Sequence, residues 1–576
     1  MTQPNLAQPP RTRRVNPWVV LAFVSIPVFV GSLDLTIVSA FLPEIIVNLG
    51  LPIETVLDDA AWVVSGYLLA YTVSMTFMGR VSDLTGRQLV YVICLILFII
   101  GSVIVASVDP DARVGFTRLL YDLQFRIQGV RPDPGEVALT QIIIGRVIQA
   151  LGGGAIVPVS LALVGDLFPA QRRAQPLGMV GAIDTLGWVL GHLYGGIMVA
   201  VFARYSAEIT TFVRGLGLDW PPPDWRTLFW INIPLSVVAL VGTWWALRNV
   251  KQQRQQGRFD FLGTALIVGA ISAVVIGLGA NIEIAAGTSS FEELGGLPPY
   301  AGPALLAGLI MFLAFIVVES RVRDPLYDLR LFRRRNLTAG LVTNFFVGFC
   351  LMIGLVSVPI LINVRVADPS DLSGAALQVG ILLSALTVPM ALAAVPGGWL
   401  SQRIGYARTA FAGLALASVG FVLIWQTLTI DVSDALLAAE MVLIGIGLGL
   451  TFSPISAAVI NAADPDKRGG ASALVIIMRM FGMTLSVALM TAIASQRLAV
   501  LAAAELGTTV VDPFAAIDVY ARLTAQVLAE LGLLGAIVCL AGLIPAMLLQ
   551  RPGGGREAPV TAADTAERRA YTSSGD

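Results

Sequence analysis

Apolar residues fall along this chain in long blocks, separated by short polar stretches. The blocks are apolar on every side of a helical projection, so they are neither alternating strands nor one-striped surface helices. Each runs for about 20 residues or more, the length a helix needs to cross a ~30 Å hydrocarbon core. Fourteen lie near 18–42, 60–79, 89–108, 139–165, 176–202, 227–247, 261–280, 301–319, 338–363, 376–396, 407–427, 436–461, 470–495 and 526–549. The pattern predicts an all-α polytopic membrane protein with fourteen transmembrane helices.

The polar stretches set the orientation. Those after even-numbered blocks are basic: GRVSDLTGRQ, PAQRRAQP, RNVKQQRQQGR, ESRVRDPLYDLRLFRRRN, SQRIGYAR and PDKRG. Those after odd-numbered blocks, such as LPIETVLDDA and QTLTIDVSD, are almost free of Lys and Arg. Basic loops stay inside, which puts both termini in the cytoplasm. Residues 109–138 carry Arg113, Arg118, Arg126 and Arg131 and yet fall on the outer side. Long loops weigh less in this rule. The polar and basic N-terminus leads into an apolar block too long for a signal peptide, with no small-residue cleavage site.

Composition agrees. The chain is 56% hydrophobic and 13% charged, against about 25% charged in soluble domains. Its 37 basic and 38 acidic residues nearly cancel, so no basic field points to nucleic acid. Cys94, Cys350 and Cys539 are far apart in apolar blocks and read as small apolar side chains. The chain shows no nucleotide-binding loop and no metal-ligand spacing, and it holds one histidine, His192. It therefore reads as a non-enzyme without metal or cofactor.

The chain also repeats itself. Pro158, Pro169 and Arg172 recur as Pro454, Pro465 and Arg468, offset by 296. Asp184-x-x-Gly187 recurs as Arg479-x-x-Gly482, offset by 295, and Gly79, Asp83 and Gly86 as Gly398, Gln402 and Gly405, offset by 319. An insertion at 109–138 explains the larger offset. Two related six-helix bundles (6+2+6) follow: a tail 1–17, a first bundle 18–247, two linker helices within 248–337, a second bundle 338–549 and a disordered tail 550–576. Internal repeats of this kind are the architecture of secondary transporters, with the substrate site between them.

At these residues the chain resembles the major facilitator superfamily, in its fourteen-helix drug:proton antiporter branch. The G-x3-D-x2-G-R pattern stands as Gly79, Asp83, Gly86 and Arg87, with Gln88 where the next residue is usually basic. Arg146 lies in GRVIQALGGGAIVP, and Asp34 and Glu44 lie in LDLTIVSAFLPEI. DWRTLFWINIPL and DPLYDLRLF resemble further signatures of the branch, and residues 163–196 and 469–483 are similar to the actinobacterial triacylglyceride exporters. The resemblance implies the major facilitator fold, alternating access with the proton as coupling ion, and a bacterial plasma (inner) membrane. It also implies that Gly79, Asp83, Gly86 and Arg87 latch the bundles at the cytoplasmic face. One departure stands out. The antiporter pattern G-x3-G-P-x2-G-G becomes Gly187, Gly191, His192, Gly195 and Gly196, with the histidine in place of proline.

Intramembrane charges are expensive and mark partners or pathways. Arg146 is expected to meet Asp34, and Asp34 and Asp184 to alternate between protonated and paired states. The second bundle has no acid at the equivalent places, and Val442 stands for Arg146, so proton chemistry belongs to the first. Arg479 is expected to meet a polar group of the substrate, Glu440 or a carbonyl. His192 and Glu44 are further candidates for the cavity or its switch, His192 as a pH sensor. At about 100° per residue, Gly187, Gly191 and Gly195 form one stripe beneath Asp184. Small residues let helices approach closely in lipid, so the stripe reads as a sliding or docking seam, or as static packing.

Three outer features are expected. Runs 470–507 and 514–549 exceed the bilayer and predict a projecting hairpin near 496–526. ARVGFTRLLYDLQFRIQ puts Phe116, Leu119, Leu120 and Leu123 on one face of an interfacial helix. Residues 204–226, ending in WPPPDW, read as a rigid loop. The sequence thus points to a proton-coupled exporter of a hydrophobic, lipid-like substrate, and the resemblance to the lipid exporters implies an outer lipid-carrying lipoprotein as its acceptor. The alternatives are a general multidrug:proton antiporter and a non-transporting membrane sensor or scaffold.

Overall fold

The computed structural model describes residues 16–38, 41–52, 59–60, 62–215, 217, 221–248, 250, 254, 257–278, 299–365, 372–506 and 513–551. Among these the chain is helical and contains no strand. The helices are α1 (Pro17–Ile37), α2 (Leu42–Asn48), α3 (Trp62–Thr85), α4 (Arg87–Ala106), α5 (Gly115–Gln128), α6 (Pro134–Leu167), α7 (Ala174–Gly215) and α8 (Trp225–Leu247). They continue with α9 (Phe261–Leu278), α10 (Ala301–Glu319), α11 (Arg335–Arg365), α12 (Leu372–Ile404), α13 (Tyr406–Thr427), α14 (Asp434–Ala462), α15 (Arg468–Leu506) and α16 (Pro513–Met547). Twelve helices among the described residues are long and apolar enough to cross a membrane. Helices α3 and α7 are not among the twelve, although both exceed 20 residues. They carry Arg80, Asp83 and Asp184.

The internal repeat is visible in the packing. In the first group α6 contacts α1, α3 and α4, α1 contacts α7 and α8, and α4 contacts α8. Exchange α1, α3, α4, α6, α7 and α8 for α11, α12, α13, α14, α15 and α16, and every pairing recurs. The groups meet where α7 touches α12 and α14, and where α15 touches α3 and α6. These contacts also map onto each other under the exchange, as a pseudo-twofold requires. Helices α9 and α10 pack together, and α9 also touches α3 and α15. Their outer faces leave Phe261, Leu262, Leu306, Leu309 and Ile310 exposed, a surface that only a lipid environment covers without cost.

Several expected boundaries change. The first block does not run to 42. Helix α1 ends at Ile37, and α2 restarts at Leu42 with Pro43 in its first turn. Proline fits that place because its missing N–H would have no intrahelical partner there. Residues 204–226 are not one loop. Helix α7 continues to Gly215 across a kink at Tyr205, where φ is −116° and ψ is 19°. The stretch after Tyr205 holds no proline until Pro221. Thr210 and Thr211 each return their hydroxyl to the carbonyl four residues back, at 2.7 and 2.8 Å. Of the three cysteines, two are neighbours: Cys539 Sγ lies 3.3 Å from Cys350 Sγ, both buried and free.

The segments expected on the outer side are helical where described. Helix α15 has 39 residues, or about 58 Å at ~1.5 Å per residue. It packs against α16, and Arg497 clamps Glu530 with two bonds of 2.9 and 3.1 Å. The turn joining them, 507–512, lies outside the described residues, as do the tails 1–15 and 552–576. Helix α5 is pinned by Thr117, which is buried and donates to Gln141 Oε1 of α6. Phe116, Leu119, Leu123 and Ile127 stay exposed on one face.

Candidate functional site

Two charge networks lie inside the bundle, and α1 belongs to both. The first is sealed within the first group. Asp34 and Arg146 are fully buried, and Arg146 Nη1 donates to Asp34 Oδ2 at 2.6 Å. Asp34 Oδ1 accepts from Gln149 Nε2 at 3.0 Å and from Asn232 Nδ2 of α8 at 2.6 Å. Arg146 also donates to Gln149 Oε1 at 2.8 Å and lies 3.7 Å over the ring of Tyr67. A buried carboxylate survives only when donors replace its water, and here three side chains do so. Gln149 and Asn232 escaped the sequence reading because an amide carries no charge to single it out. Both lie in the quoted stretches, Gln149 within one turn of Arg146.

The second network joins the two groups. Arg479 Nη2 of α15 donates to Asp184 Oδ2 of α7 at 2.8 Å, and Ser32 of α1 donates to Asp184 Oδ1 at 2.7 Å. The side chains are 16% and 12% exposed. They face a cavity of about 60 Å³ whose apolar wall includes Leu68, Tyr71, Leu351, Met390, Ile476 and Met483. The expected partner Glu440 is not involved: it accepts from Thr427 at 2.6 Å, within the second group. Asp184 and Arg479 are the repeat-equivalent pair offset by 295. Equivalent positions near a pseudo-twofold axis face each other, and here they carry opposite charges.

The glycine stripe lies against α1. A Cβ on Gly187 would stand 2.7 Å from Phe29 O, and one on Gly191 would overlap Leu33 O and Thr36 Oγ1. Thr36 donates to Trp188 O at 2.6 Å across the same seam. Gly195 is buried farther along α7. Gly482, the equivalent of Gly187, meets the backbone of Phe345 and Phe349 on α11 in the same way. His192 belongs to α7, but its side chain lies outside the described residues. Glu44 is not at the cavity. It sits on α2 near Asp224, and burial, then the Asp224 charge, raise its carboxyl above the usual range. The break after Ile37 carries it away from the axis of α1.

The third cluster is the latch. Asp83, near the end of α3, accepts N–H bonds from Gly469 and Gly470 in the first turn of α15, at 3.0 and 3.1 Å. A carboxylate at a helix N-terminus is favoured by ~0.3–1 kcal/mol from the helix dipole alone. Gly86 opens α4 with φ of +102°, a backbone that suits glycine. That turn brings Arg87 Nη1 to 2.6 Å from Asp83. Asp166 joins the cluster through Arg87 at 3.4 Å and Arg468 at 3.0 Å. Gly79 and Gly469 touch backbone to backbone, with no room for a Cβ on either. In the second group Gly398 meets the start of α7 similarly, but Gln402 replaces the acid and is exposed. The two groups are closed together at this end.

Comparison with known proteins places this arrangement. The sequence profile of the Major Facilitator Superfamily matches residues 24–367 and 358–559. A triacylglyceride transporter of Mycobacterium tuberculosis is 31% identical over 554 residues, covering 92% of this chain and 94% of its own. A triacylglyceride transporter of Mycolicibacterium smegmatis is 29% identical, covering 93% and 88%. Among solved structures, a proton:xylose symporter superposes with a TM-score of 0.53 at 14% identity over 90% of this chain and 94% of that one. The human organic anion transporter MFSD10 gives 0.52 at 16% over 92% and 100%. With the profile spanning most of its length, the chain belongs to the Major Facilitator Superfamily.

Proposed function

We propose that the protein is a proton-coupled secondary exporter of a neutral lipid of the triacylglyceride class. The observation that carries this reading is the Asp184–Arg479 pair: an ion pair between the two helix groups, facing a largely apolar cavity. In this reading fourteen helices span the plasma membrane as 6+2+6, counting α3 and α7 with the twelve. The latch end and both termini face the cytoplasm. The relatives named triacylglyceride transporters support the substrate class, and the apolar wall supports a neutral ligand. A 60 Å³ cavity is far too small for such a lipid, so transport requires the groups to part.

The coupling follows from α1. Its Ser32 holds Asp184 and its Asp34 holds Arg146, so a shift of α1 along the glycine seam changes both networks. A proton on Asp184 removes the charge that holds Arg479 and loosens the groups. Arg479 is then free to donate to an ester carbonyl of the lipid. A proton on Asp34 leaves Arg146 unbalanced and drives its partners to rearrange. The projecting α15–α16 hairpin offers a place for an outer lipid acceptor. The test is release of labelled triacylglyceride from proteoliposomes with and without an imposed proton gradient. Gradient-dependent release that Asp34→Asn abolishes supports the reading; no lipid movement by folded protein, with gradient-driven movement of cationic dyes instead, replaces it with a multidrug antiporter.

A further inference from the structure

Apart from these networks, one stretch of chain touches the linker helices and both helix groups at the latch end. Residues 324–328 follow α10 and precede a 3-10 turn at Leu329–Arg333. Their anchor is Glu319, the last residue of α10, only 4% exposed. Its Oε1 accepts the N–H of Tyr327 at 2.8 Å and its Oε2 that of Leu326 at 3.2 Å. Asp260, just before α9, caps that helix by accepting from Gly263 N at 2.8 Å. Its Oδ2 is buried, and no fixed N–H or O–H reaches it. The Glu319 carboxyl lies beside the Asp260 side chain. Glu319 is thus a clamp that fixes the strap to the end of α10 through two backbone N–H groups.

From the clamp the strap crosses the seam between the groups. The Tyr327 hydroxyl donates to Thr76 O of α3 at 2.5 Å. Its ring lies against Gly470 of α15, where an added Cβ would meet Cε1 at 3.6 Å. Asp328 Oδ2 accepts from Lys467 Nζ at 2.7 Å, immediately before α15, and Oδ1 caps Arg330 N at 2.9 Å. Thr76 lies about one turn from Gly79, and Gly470 is one of the two donors to Asp83. The strap therefore grips the same two helices as the latch, from the linker side.

We propose that residues 324–328 bolt the latch: the linker helices, through Glu319 and Tyr327, hold α3 against α15 and so favour the state closed at this end. Tyr327 and Glu319 are positioning residues that act through the Asp83 contact. The inference rests on the alternating-access reading above and gives the two extra helices a task in it.

Electron-paramagnetic distance measurements test it without substrate. Spin labels go at Gln171→Cys and Arg408→Cys, exposed positions in the two groups at the latch end; the native cysteines are buried. Tyr327→Ala is expected to raise the long-distance population severalfold, and Tyr327→Phe, which keeps the ring on Gly470, to raise it less. Glu319→Gln keeps one of the two acceptor oxygens for the strap, so it should fall between the parent and Glu319→Ala. Glu319→Ala should behave like Tyr327→Ala. A merely structural glutamate would not show this partial rescue in the distance distribution. If Asp83→Asn lengthens the distances while folded Tyr327→Ala and Glu319→Ala do not, the bolt is wrong and alternating access stands. If no variant, Asp83→Asn included, changes the distances, the alternating-access reading falls with it.

Discussion

Replacing Asp184 by Asn and Arg479 by Gln, singly and together, isolates the one ion pair that spans the central cavity. The perturbation keeps shape and removes charge. Two unit charges about 4 Å apart attract by about 4 kcal/mol at an effective dielectric of about 20. The bond is single, and both groups give up most of their water, so desolvation offsets about half and leaves about 2 kcal/mol of coupling. Each single variant also strands a charge in an apolar wall and should cost more than the double. Because the pair breaks whenever the groups separate there, about 2 kcal/mol shifts the closed-to-open ratio by about thirty-fold. Unfolding in detergent supplies the energies of the four proteins, and distance measurements across the groups supply their populations. A coupling within about 0.5 kcal/mol of zero, the scatter expected of independent sites, would refute the claim that the pair joins the groups.

Other outcomes follow from the same geometry. Asp34→Asn leaves Arg146 buried without its counter-charge and should destabilise by about 3–5 kcal/mol, read as a lower unfolding midpoint together with lost gradient-driven transport. Gly79→Ala drives a methyl into the Gly469 carbonyl, an overpacking of about 1–3 kcal/mol, and should lower crosslinking between cysteines placed across the latch. Burial pushes the Asp328 carboxyl up, but the Lys467 ammonium and the Arg330 N–H together pull it below its usual value. A depressed folded value stabilises above the unfolded one, so this contribution is present at neutral pH and is lost as pH falls through the acid range below about 4; Asp328→Asn should erase that part of an acid-unfolding profile. Glu530→Gln removes an exposed hairpin clamp, and the unfolding midpoint should hardly move while protease cleavage near Leu501 increases.

What the sequence revealed depends on how each feature writes itself into a chain. Spanning helices are legible because lipid demands uninterrupted apolar residues, and Asp34 and Arg146 stand out against that background. The Gly79–Arg87 latch is legible because backbone contact admits only glycine at its centre. The partner of Arg479 was not legible from local context, since Asp184 lies 295 residues away. The signal was the repeat itself, which aligned an acid with a base. The extension of α7 was hidden by WPPPDW, which drew the boundary of the loop too early. The strap was missed because Glu319 and Tyr327 look like ordinary residues at a membrane edge; their meaning lies in the N–H groups and the acid they meet after folding.

The opposed charges at positions 184 and 479 carry a consequence for descent. Two identical six-helix subunits related by a true twofold would bring the same side chain to this axis from both sides. Acid would face acid, or arginine would face arginine, and the contact would repel. Only a fused chain, whose copies mutate separately, can write aspartate into one copy and arginine into the other. Duplication preserved the packing while releasing the chemistry from symmetry. At this position the first copy kept the acid, and the second supplied the cation that answers it.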